Sequence, residues 1–205
     1  MMHTTYREWW KDMLQKALPG ESAQLLMAPT FRGNFPDQGE AVRAAVLVLL
    51  YPADSEIHLV LMKRNEYDGP HSGQVSFPGG AWEPDDLNLE QTAIRETREE
   101  IGVTDSIEIL GALTPLHIPV SNFMVSPFVG WTDDTPKFHP DRSEVQYLIE
   151  VSLRELLEPA IRDSETLYHH GRTVEAPFYR VGKNKIWGAT AMMLSEFLQL
   201  AARMR

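Results

Sequence analysis

Three glutamates with helical spacing are the residues of this chain best suited to chemistry. Glu96, Glu99 and Glu100 stand at i, i+3 and i+4, so on a helix their carboxylates are neighbours. Like charges placed in this way repel, and a hard divalent cation such as Mg²⁺, which prefers carboxylate oxygens, reverses that cost. Arg95 precedes Glu99 by four residues and can orient it. A metal site is one interpretation, and a solvated acidic surface is the other.

The local sequence predicts the helix that would carry these groups. Asn88 is a suitable N-cap with Gln91 three residues later, and Gly102 is a natural stop, so we expect a helix over 88–101. The side of this helix opposite the glutamates is mostly apolar. A Gly79-Gly80 pair precedes the acidic loop that leads into it. Glycine lets backbone carbonyls approach a ligand closely, and the Gly80 carbonyl is a candidate metal ligand.

The stretch from Gly79 to Val103 resembles the Nudix box, Gly-x5-Glu-x7-Arg-Glu-U-x-Glu-Glu-x-Gly-U, in which U is an apolar residue. The matching residues are Arg95-Glu96, Glu99-Glu100 and Gly102-Val103. Thr97 takes a position that is usually apolar. The segment from Gly80 to Arg95 is one residue longer than the general box, which leaves Glu83 and Asp86 as alternative stand-ins for the loop glutamate.

The resemblance implies metal-dependent hydrolysis of a phosphoanhydride, with Mg²⁺ or Mn²⁺ as the cofactor. Glu96, Glu99, Glu100 and the Gly80 carbonyl would face the metal. Arg95 would hold the set in place, and a carboxylate such as Glu99 would accept a proton from water. A further acid from a later loop often completes such sites. Glu144 is the candidate, and an exposed loop acid is the competing interpretation.

A second resemblance concerns the substrate. The segment His71–Gly80, and Ile186–Ala191 near the end of the chain, are similar to the coenzyme A pyrophosphatase branch of the Nudix hydrolases. This implies cleavage of CoA or an acyl-CoA to adenosine 3′,5′-bisphosphate and a 4′-phosphopantetheine moiety. His71 and Gly79 would then contact the substrate. The loop 117–122 could border the pocket.

CoA carries a 3′-phosphate, for which the nearest cationic side chains in sequence are Lys63, Arg64 and Arg43. Two alternatives stay open. The substrate could be ADP-ribose, NADH or a related nucleotide, and the domain could be a nucleotide-binding sensor without turnover.

Composition limits the partners. The net charge of −10 disfavours a nucleic-acid backbone as a general partner. The chain has no cysteine, which excludes disulfides, zinc-thiolate sites and thiol nucleophiles. No apolar run is long enough to span a membrane. We therefore expect a cytoplasmic enzyme that acts on a small nucleotide diphosphate, and the sequence leaves a monomer and a homodimer open.

The element pattern favours an α+β fold. A helix is expected over Tyr6–Leu18, a buried strand over Ala41–Tyr51 and a closing helix over Lys185–Met204. Strands and helices alternate irregularly, without a βαβ rhythm. We expect residues 1–27 to be an N-terminal helical extension and residues 28–205 to form the Nudix domain. The resemblance implies an α/β/α sandwich with a mixed central sheet.

Overall fold

The computed structural model describes residues 2–30, 39–69, 71–169 and 172–204. Its α-helices are Met2–Leu14 (α1), Glu21–Leu25 (α2), Leu89–Ile101 (α3), Leu153–Leu156 (α4) and Gly188–Ala201 (α5). Its strands are Val42–Ala53 (β1), Glu56–Arg64 (β2), Val75–Ser76 (β3), Gly79–Ala81 (β4), Glu108–Ala112 (β5), Leu116–Ile118 (β6), Phe123–Trp131 (β7), Val145–Ser152 (β8), Arg162–His169 (β9), Arg172–Val181 (β10) and Asn184–Trp187 (β11). Short 3-10 helices cover Pro159–Ile161 and Ala202–Met204.

The central sheet is mixed. Its main order is β3-β2-β1-β7-β5, with β4 paired to β1, β6 to β7 and β8 to β2. Strands β1 and β7 run parallel over Val42–Leu50 and Phe123–Trp131, and the other pairs of this sheet are antiparallel. Strands β9, β10 and β11 form a separate antiparallel sheet. Because this mixed sheet lies between helices, the expected fold class is confirmed.

Strand β1 separates two cores because its side chains alternate between the faces of the sheet. Ala44, Val48 and Leu50 pack with α1 and α5 on one face. Ala45, Leu47, Leu49 and Tyr51 pack with α3 on the other. All of these side chains are buried. The sequence reads as a nearly continuous apolar run because both faces are covered.

The sheet splits between β1 and β2, and this split creates the space for a site. The two strands pair over Leu50–Ala53 and Glu56–Leu59. Beyond that point β4 lies on β1 at Ala44–Val46, while β3 lies on β2 at Met62 and Lys63. The chain from β3 to β4 therefore crosses the gap. Pro78 fixes the crossing, because its carbonyl accepts a hydrogen bond of 2.9 Å from the Leu47 amide.

The acidic helix has the predicted bounds. The Asn88 side chain accepts a hydrogen bond from the Gln91 amide, and Gly102 ends the helix in the left-handed conformation with φ of 68°. A Cβ on Gly102 would lie 2.3 Å from the His139 carbonyl oxygen. Glycine is therefore required there by both conformation and space.

The closing helix was predicted to begin too early. Lys185 to Trp187 form β11, which pairs with β10, and α5 begins at Gly188. Ile186 is buried while its neighbours on either side are exposed, which is the alternation of a strand. The first helix is likewise displaced from the expected Tyr6–Leu18, because α1 ends at Leu14.

The N-terminal helices pack on the same core as α5. Trp10 stacks on Phe197 with ring centroids 4.7 Å apart and planes 5° from parallel. The Glu196 side chain, which is fully buried, accepts hydrogen bonds from the Gly20 amide, the Gln24 side chain and both donors of Thr114. We retain residues 1–27 as a proposed extension, tied to the domain by this carboxylate. Among the described residues, no helix has the length and apolarity needed to cross a bilayer.

Glu196→Ala should destabilise the protein strongly. The substitution leaves one buried and several partly buried donors without an acceptor, and an unpaired buried donor costs about 1–3 kcal/mol. We expect a loss of more than about 2 kcal/mol in the free energy of unfolding by urea denaturation. Glu21→Ala is the matched control, because Glu21 lies on the neighbouring α2 and is exposed. Equal losses in the two variants would show that the Glu196 network does not carry this stability.

Candidate functional site

The acidic face of α3 is not a solvated surface. Glu100 is 2% exposed, and Glu96 is half-buried with a side chain at 16% exposure. Glu99, in contrast, has a side chain at 59% exposure. Buried carboxylates of this kind need partners, because burial disfavours the charged form. The structure provides these partners from two arginines and from the Gly79–Gly80 segment.

Arg95 connects the helix to the loop that precedes it. Its Nη1 donates to Glu96 at 2.8 Å and to Glu99 at 3.1 Å. Its Nε and Nη2 donate to the two oxygens of Asp86 at 2.9 and 3.0 Å, a bidentate pair. Of the two candidate loop acids, Asp86 is the one that forms this bidentate pair with Arg95. Glu83 is exposed and lies 3.9 Å from Arg95.

The Asp86 carboxylate is also held by its own loop and helix. It accepts hydrogen bonds from the Glu83 amide at 3.1 Å and from the Thr92 hydroxyl at 2.9 Å. The Arg95 guanidinium, assisted by these donors, holds the pKa of Asp86 well below its usual range. Asp86 therefore remains a carboxylate and fixes the position of Arg95.

Glu100 is bound from the opposite side. One oxygen accepts a hydrogen bond of 2.7 Å from the Gly79 amide, and the other accepts one of 3.0 Å from Arg64 Nη1. Burial raises the pKa of Glu100 to about 7, against the lowering effect of the Gly79 amide and Arg64. The charges of Glu96 and Glu144 contribute to this rise in the pKa of Glu100. Burial, together with the charges of Glu99 and Glu144, raises the pKa of Glu96 as well, against the Arg95 contact.

The two glycines before the loop lie in close contact with their surroundings, and backbone crowding requires glycine at Gly79. Gly79 has φ of 152°, and a Cβ there would lie 2.3 Å from the Ala45 carbonyl oxygen. A Cβ on Gly80 would lie 2.5–2.6 Å from the Glu96 carboxylate atoms. The Glu96 carboxylate thus rests against the backbone of β4, which brings it close to the Gly80 peptide.

These oxygens fit a hard divalent cation in their chemistry. Glu96 lies against Gly80, the charges of Glu99 and Glu144 act on Glu96, and those of Glu96 and Glu144 act on Glu100. Carboxylate and carbonyl oxygens are the ligands that Mg²⁺ and Mn²⁺ prefer. Within the described ranges, however, no three acidic or histidine side chains lie in an arrangement that could hold a metal ion without rearranging. In the described structure Arg95 pairs with Glu96 and Glu99, and Arg64 pairs with Glu100.

Glu144 lies at the edge of this group. It precedes β8 and is exposed, and its backbone carbonyl accepts a hydrogen bond of 2.9 Å from the Asn65 amide. Its charge acts on both Glu96 and Glu100. The structure therefore brings Glu144 near the acidic face, and its catalytic role stays a proposal.

A cavity of about 400 Å³ opens beside the carboxylates, within the split of the sheet. One end is acidic and contains Arg64, and the other end is largely apolar. The apolar end combines β6, β7 and α5. The cavity is lined by Ala44, Val46, Arg64, Tyr67, His71, Gln74, Ser76, Phe77, Gly79, Gly80, Ala81, Glu96, Glu100, Ile118, Ser121, Phe123, Val125, Glu144, Ala189, Thr190 and Met193.

The proposed substrate contacts fall in different places. His71 lines the cavity, where its ring nitrogens lie 3.0 Å from Ser121 Oγ and 3.3 Å from Gln74 Oε1. Gly79 and Arg64 also line it, and Arg64 is engaged with Glu100. Lys63 is not among the described lining residues, and its ammonium donates to the Gly73 carbonyl. Arg43 lies over the Trp82 ring at 5.2 Å.

Several lining residues were not predicted from the sequence. Phe123 and Val125 on β7 lie two residues apart, and Ala189 and Met193 on α5 lie four apart. These spacings place each pair on one face of its element. The patterns are visible in the sequence, but they equally describe core positions. Only the topology brings the two pairs to one cavity.

Comparison with known proteins agrees with this geometry. The NUDIX domain model matches residues 41–170. A Yersinia enterocolitica protein described as an uncharacterized Nudix hydrolase, NudL, is 34% identical over 157 residues, which cover 76% of this chain and 80% of the relative. Its Yersinia pestis counterpart is 34% identical over 158 residues, covering 77% and 78%.

Two solved structures share the fold at low sequence identity. A MutT protein from Methanosarcina mazei aligns with a TM-score of 0.52 at 18% identity, covering 81% of this chain and 98% of the other. A MutT/nudix family protein from Enterococcus faecalis aligns with a TM-score of 0.51 at 16% identity, covering 97% and 74%. With the domain match and the NudL relatives, these findings establish that the chain belongs to the Nudix hydrolase family.

Proposed function

We propose that this Nudix hydrolase cleaves the diphosphate of coenzyme A or an acyl-CoA, giving adenosine 3′,5′-bisphosphate and a 4′-phosphopantetheine moiety. One observation carries the choice of substrate. The two stretches similar to the CoA pyrophosphatase branch, His71–Gly80 and Ile186–Ala191, are far apart in sequence, and both contribute side chains to one cavity. His71, Gln74 and Ser76 come from the first, and Ala189 and Thr190 from the second.

The shape and polarity of the cavity support this substrate. Its acidic end suits a metal-bound diphosphate. Its other end, formed by Ile118, Phe123, Val125 and Met193 with the His71–Ser121 pair beside it, suits an uncharged arm that carries both apolar and amide groups. Pantetheine is such an arm.

In the proposed reaction the protein positions water and phosphate oxygens. A bound Mg²⁺ or Mn²⁺ would neutralise the diphosphate charge and lower the pKa of water. Glu96, Glu99, Glu100 and the Gly80 carbonyl would hold it. Arg95, fixed by Asp86, keeps Glu96 and Glu99 on one side of the site.

The proton of the attacking water needs an acceptor within hydrogen-bond reach. Glu99 is the proposed base, because it is the most accessible carboxylate of the α3 face. Glu144 is the alternative base from the facing loop. Water then attacks phosphorus, the phosphoanhydride bond breaks, and the departing phosphate carries the negative charge.

Two alternatives remain. The first keeps the chemistry and changes the substrate to ADP-ribose, NADH or a related nucleotide. The second is a nucleotide-binding sensor without turnover. The complete set of Arg95, Glu96, Glu99 and Glu100 argues against a sensor, because binding alone does not need every carboxylate.

Activity should require Mg²⁺ or Mn²⁺ and should fall in Glu99→Gln and Glu100→Gln. Each substitution removes a charge directed at the metal, so we expect a loss of kcat on the order of 100-fold or more. Glu90→Gln is the matched control, since Glu90 is exposed in the first turn of the same helix. If both variants kept wild-type turnover in excess EDTA, the metal-dependent mechanism with these two carboxylates would be excluded.

Glu99→Gln should leave the metal-free fold intact. Glu99 is exposed, and its charge adds to the repulsion on Glu96, so the free energy of unfolding should change by no more than about 0.5 kcal/mol. Saturating Mg²⁺ should raise the melting temperature of the wild type more than that of the variant, because metal stabilises only the form that binds it. A metal-free variant that melts well below wild type would indicate a structural role for Glu99.

CoA should be a better substrate than ADP-ribose or NADH, as measured by kcat/KM on one preparation. Phe123→Ala should lower kcat/KM for CoA about tenfold, because it removes apolar surface from the arm. The loss for ADP-ribose should be smaller. Met124→Ala is the control, because Met124 is the next residue on β7 and is exposed outside the cavity. If kcat/KM for ADP-ribose or NADH exceeded that for CoA tenfold, CoA would be rejected as the substrate, and the proposed diphosphatase activity would stand.

A further inference from the structure

Two buried polar atoms in the cavity wall have no partner. Ser76 Oγ and Arg64 Nε are inaccessible to solvent and make no hydrogen bond to any described residue. Both residues line the cavity. A buried donor that stays unpaired is destabilising, and native proteins rarely retain one without a reason. Two such atoms on one wall of the cavity are therefore available to a ligand.

Strand pairing places the two residues on the same face. Ser76 on β3 lies opposite Met62 on β2, and the Arg64 amide donates to the Gln74 carbonyl at 3.0 Å. Arg64 and Ser76 are therefore diagonal neighbours, for which Cα atoms are about 7–8 Å apart in antiparallel sheets. Met62 packs in the core on the α3 side. Both side chains consequently belong to the acidic end of the cavity.

The guanidinium of Arg64 is already fixed in one orientation. Its Nη1 donates to Glu100, which also accepts from the Gly79 amide. This pair leaves the Nε–H of Arg64 as an available donor, while Ser76 can rotate its hydroxyl hydrogen. An atom that accepts from both must be an oxygen with several lone pairs. Phosphate oxygens have this property, and guanidinium groups are well suited to bind them.

We propose that Ser76 Oγ and Arg64 Nε donate to a non-bridging oxygen of the substrate diphosphate and position it beside the carboxylates. This inference rests on the proposed diphosphatase function and adds Ser76, a residue without a role in the metal site, as a positioning residue. It also places Arg64 at the diphosphate, while the sequence had suggested the 3′-phosphate. The three carboxylates Glu96, Glu100 and Glu144 repel an anion, so the contact is expected to form with Mg²⁺ present.

The test compares two serine-to-alanine variants with opposite expected effects. Ser76→Ala removes an unpaired hydroxyl, so its melting temperature should equal that of the wild type or exceed it slightly. Its affinity for imidodiphosphate, a non-hydrolysable diphosphate, should fall about tenfold in calorimetric titrations with Mg²⁺, as should kcat/KM. Ser195→Ala removes a buried hydroxyl that donates to the Ala23 carbonyl. It should lower the melting temperature by about 2–4 °C and leave binding and kcat/KM unchanged.

The outcomes separate this inference from the proposed function. If the wild type hydrolyses diphosphates and Ser76→Ala binds imidodiphosphate and turns over as the wild type does, the positioning role is wrong and the diphosphatase stands. A wild type that fails to bind imidodiphosphate with Mg²⁺ also overturns the positioning role. If the wild type hydrolyses none of CoA, ADP-ribose and NADH, the proposed function itself is wrong.

Discussion

The candidate site depends on the ion pair between Arg95 and Asp86. A guanidinium with carboxylates on several sides would sample several geometries if it were free. Asp86 removes that freedom by a bidentate contact, and Asp86 is itself held by Thr92 and the Glu83 amide. The remaining nitrogen of Arg95, Nη1, is thereby held between Glu96 and Glu99 and donates to both. The loop before α3 thus determines where the carboxylates on α3 are found.

A second constraint acts from the sheet. Strands β1 and β2 separate, and the segment from Ser76 to Ala81 crosses the gap between them. The Gly79 amide that this crossing exposes binds Glu100, and the Cα of Gly80 lies against Glu96. The same departure from regular pairing leaves the volume of the cavity. The cavity and the cluster of acidic side chains therefore both result from the separation of β1 and β2.

Local signals were readable in the sequence, and contacts that depend on topology were not. The bounds of α3 follow from Asn88 and Gly102, because caps act within a few residues. The shared face of Glu96, Glu99 and Glu100 follows from helical periodicity. The pairing of Arg64 with Glu100, 36 residues later, has no local signal, since it requires β2 to lie beside α3. The choice between Glu83 and Asp86 was open for a similar reason, because the extra loop residue made the register ambiguous.

At β11 the prediction from sequence was wrong, because a helix was expected where the structure has a strand. Lys185 to Trp187 were assigned to the helix that follows them, whereas pairing with β10 holds them extended and Gly188, with φ of 63°, separates them from α5. Met193 shows why the role of a buried helix position is hard to infer from sequence. It is buried, and it also borders the cavity. Burial and ligand contact give the same sequence pattern.

The stacking of Trp10 on Phe197 has a consequence for the wall of the cavity. Ala189, Met193 and Phe197 follow one another at intervals of one helical turn on α5. This row begins in the cavity and ends against the N-terminal helix. Because interiors are close-packed, a shift of α5 away from the cavity would have to displace Trp10. The N-terminal helix, which does not line the cavity in the described structure, therefore supports the α5 wall of the binding space from behind.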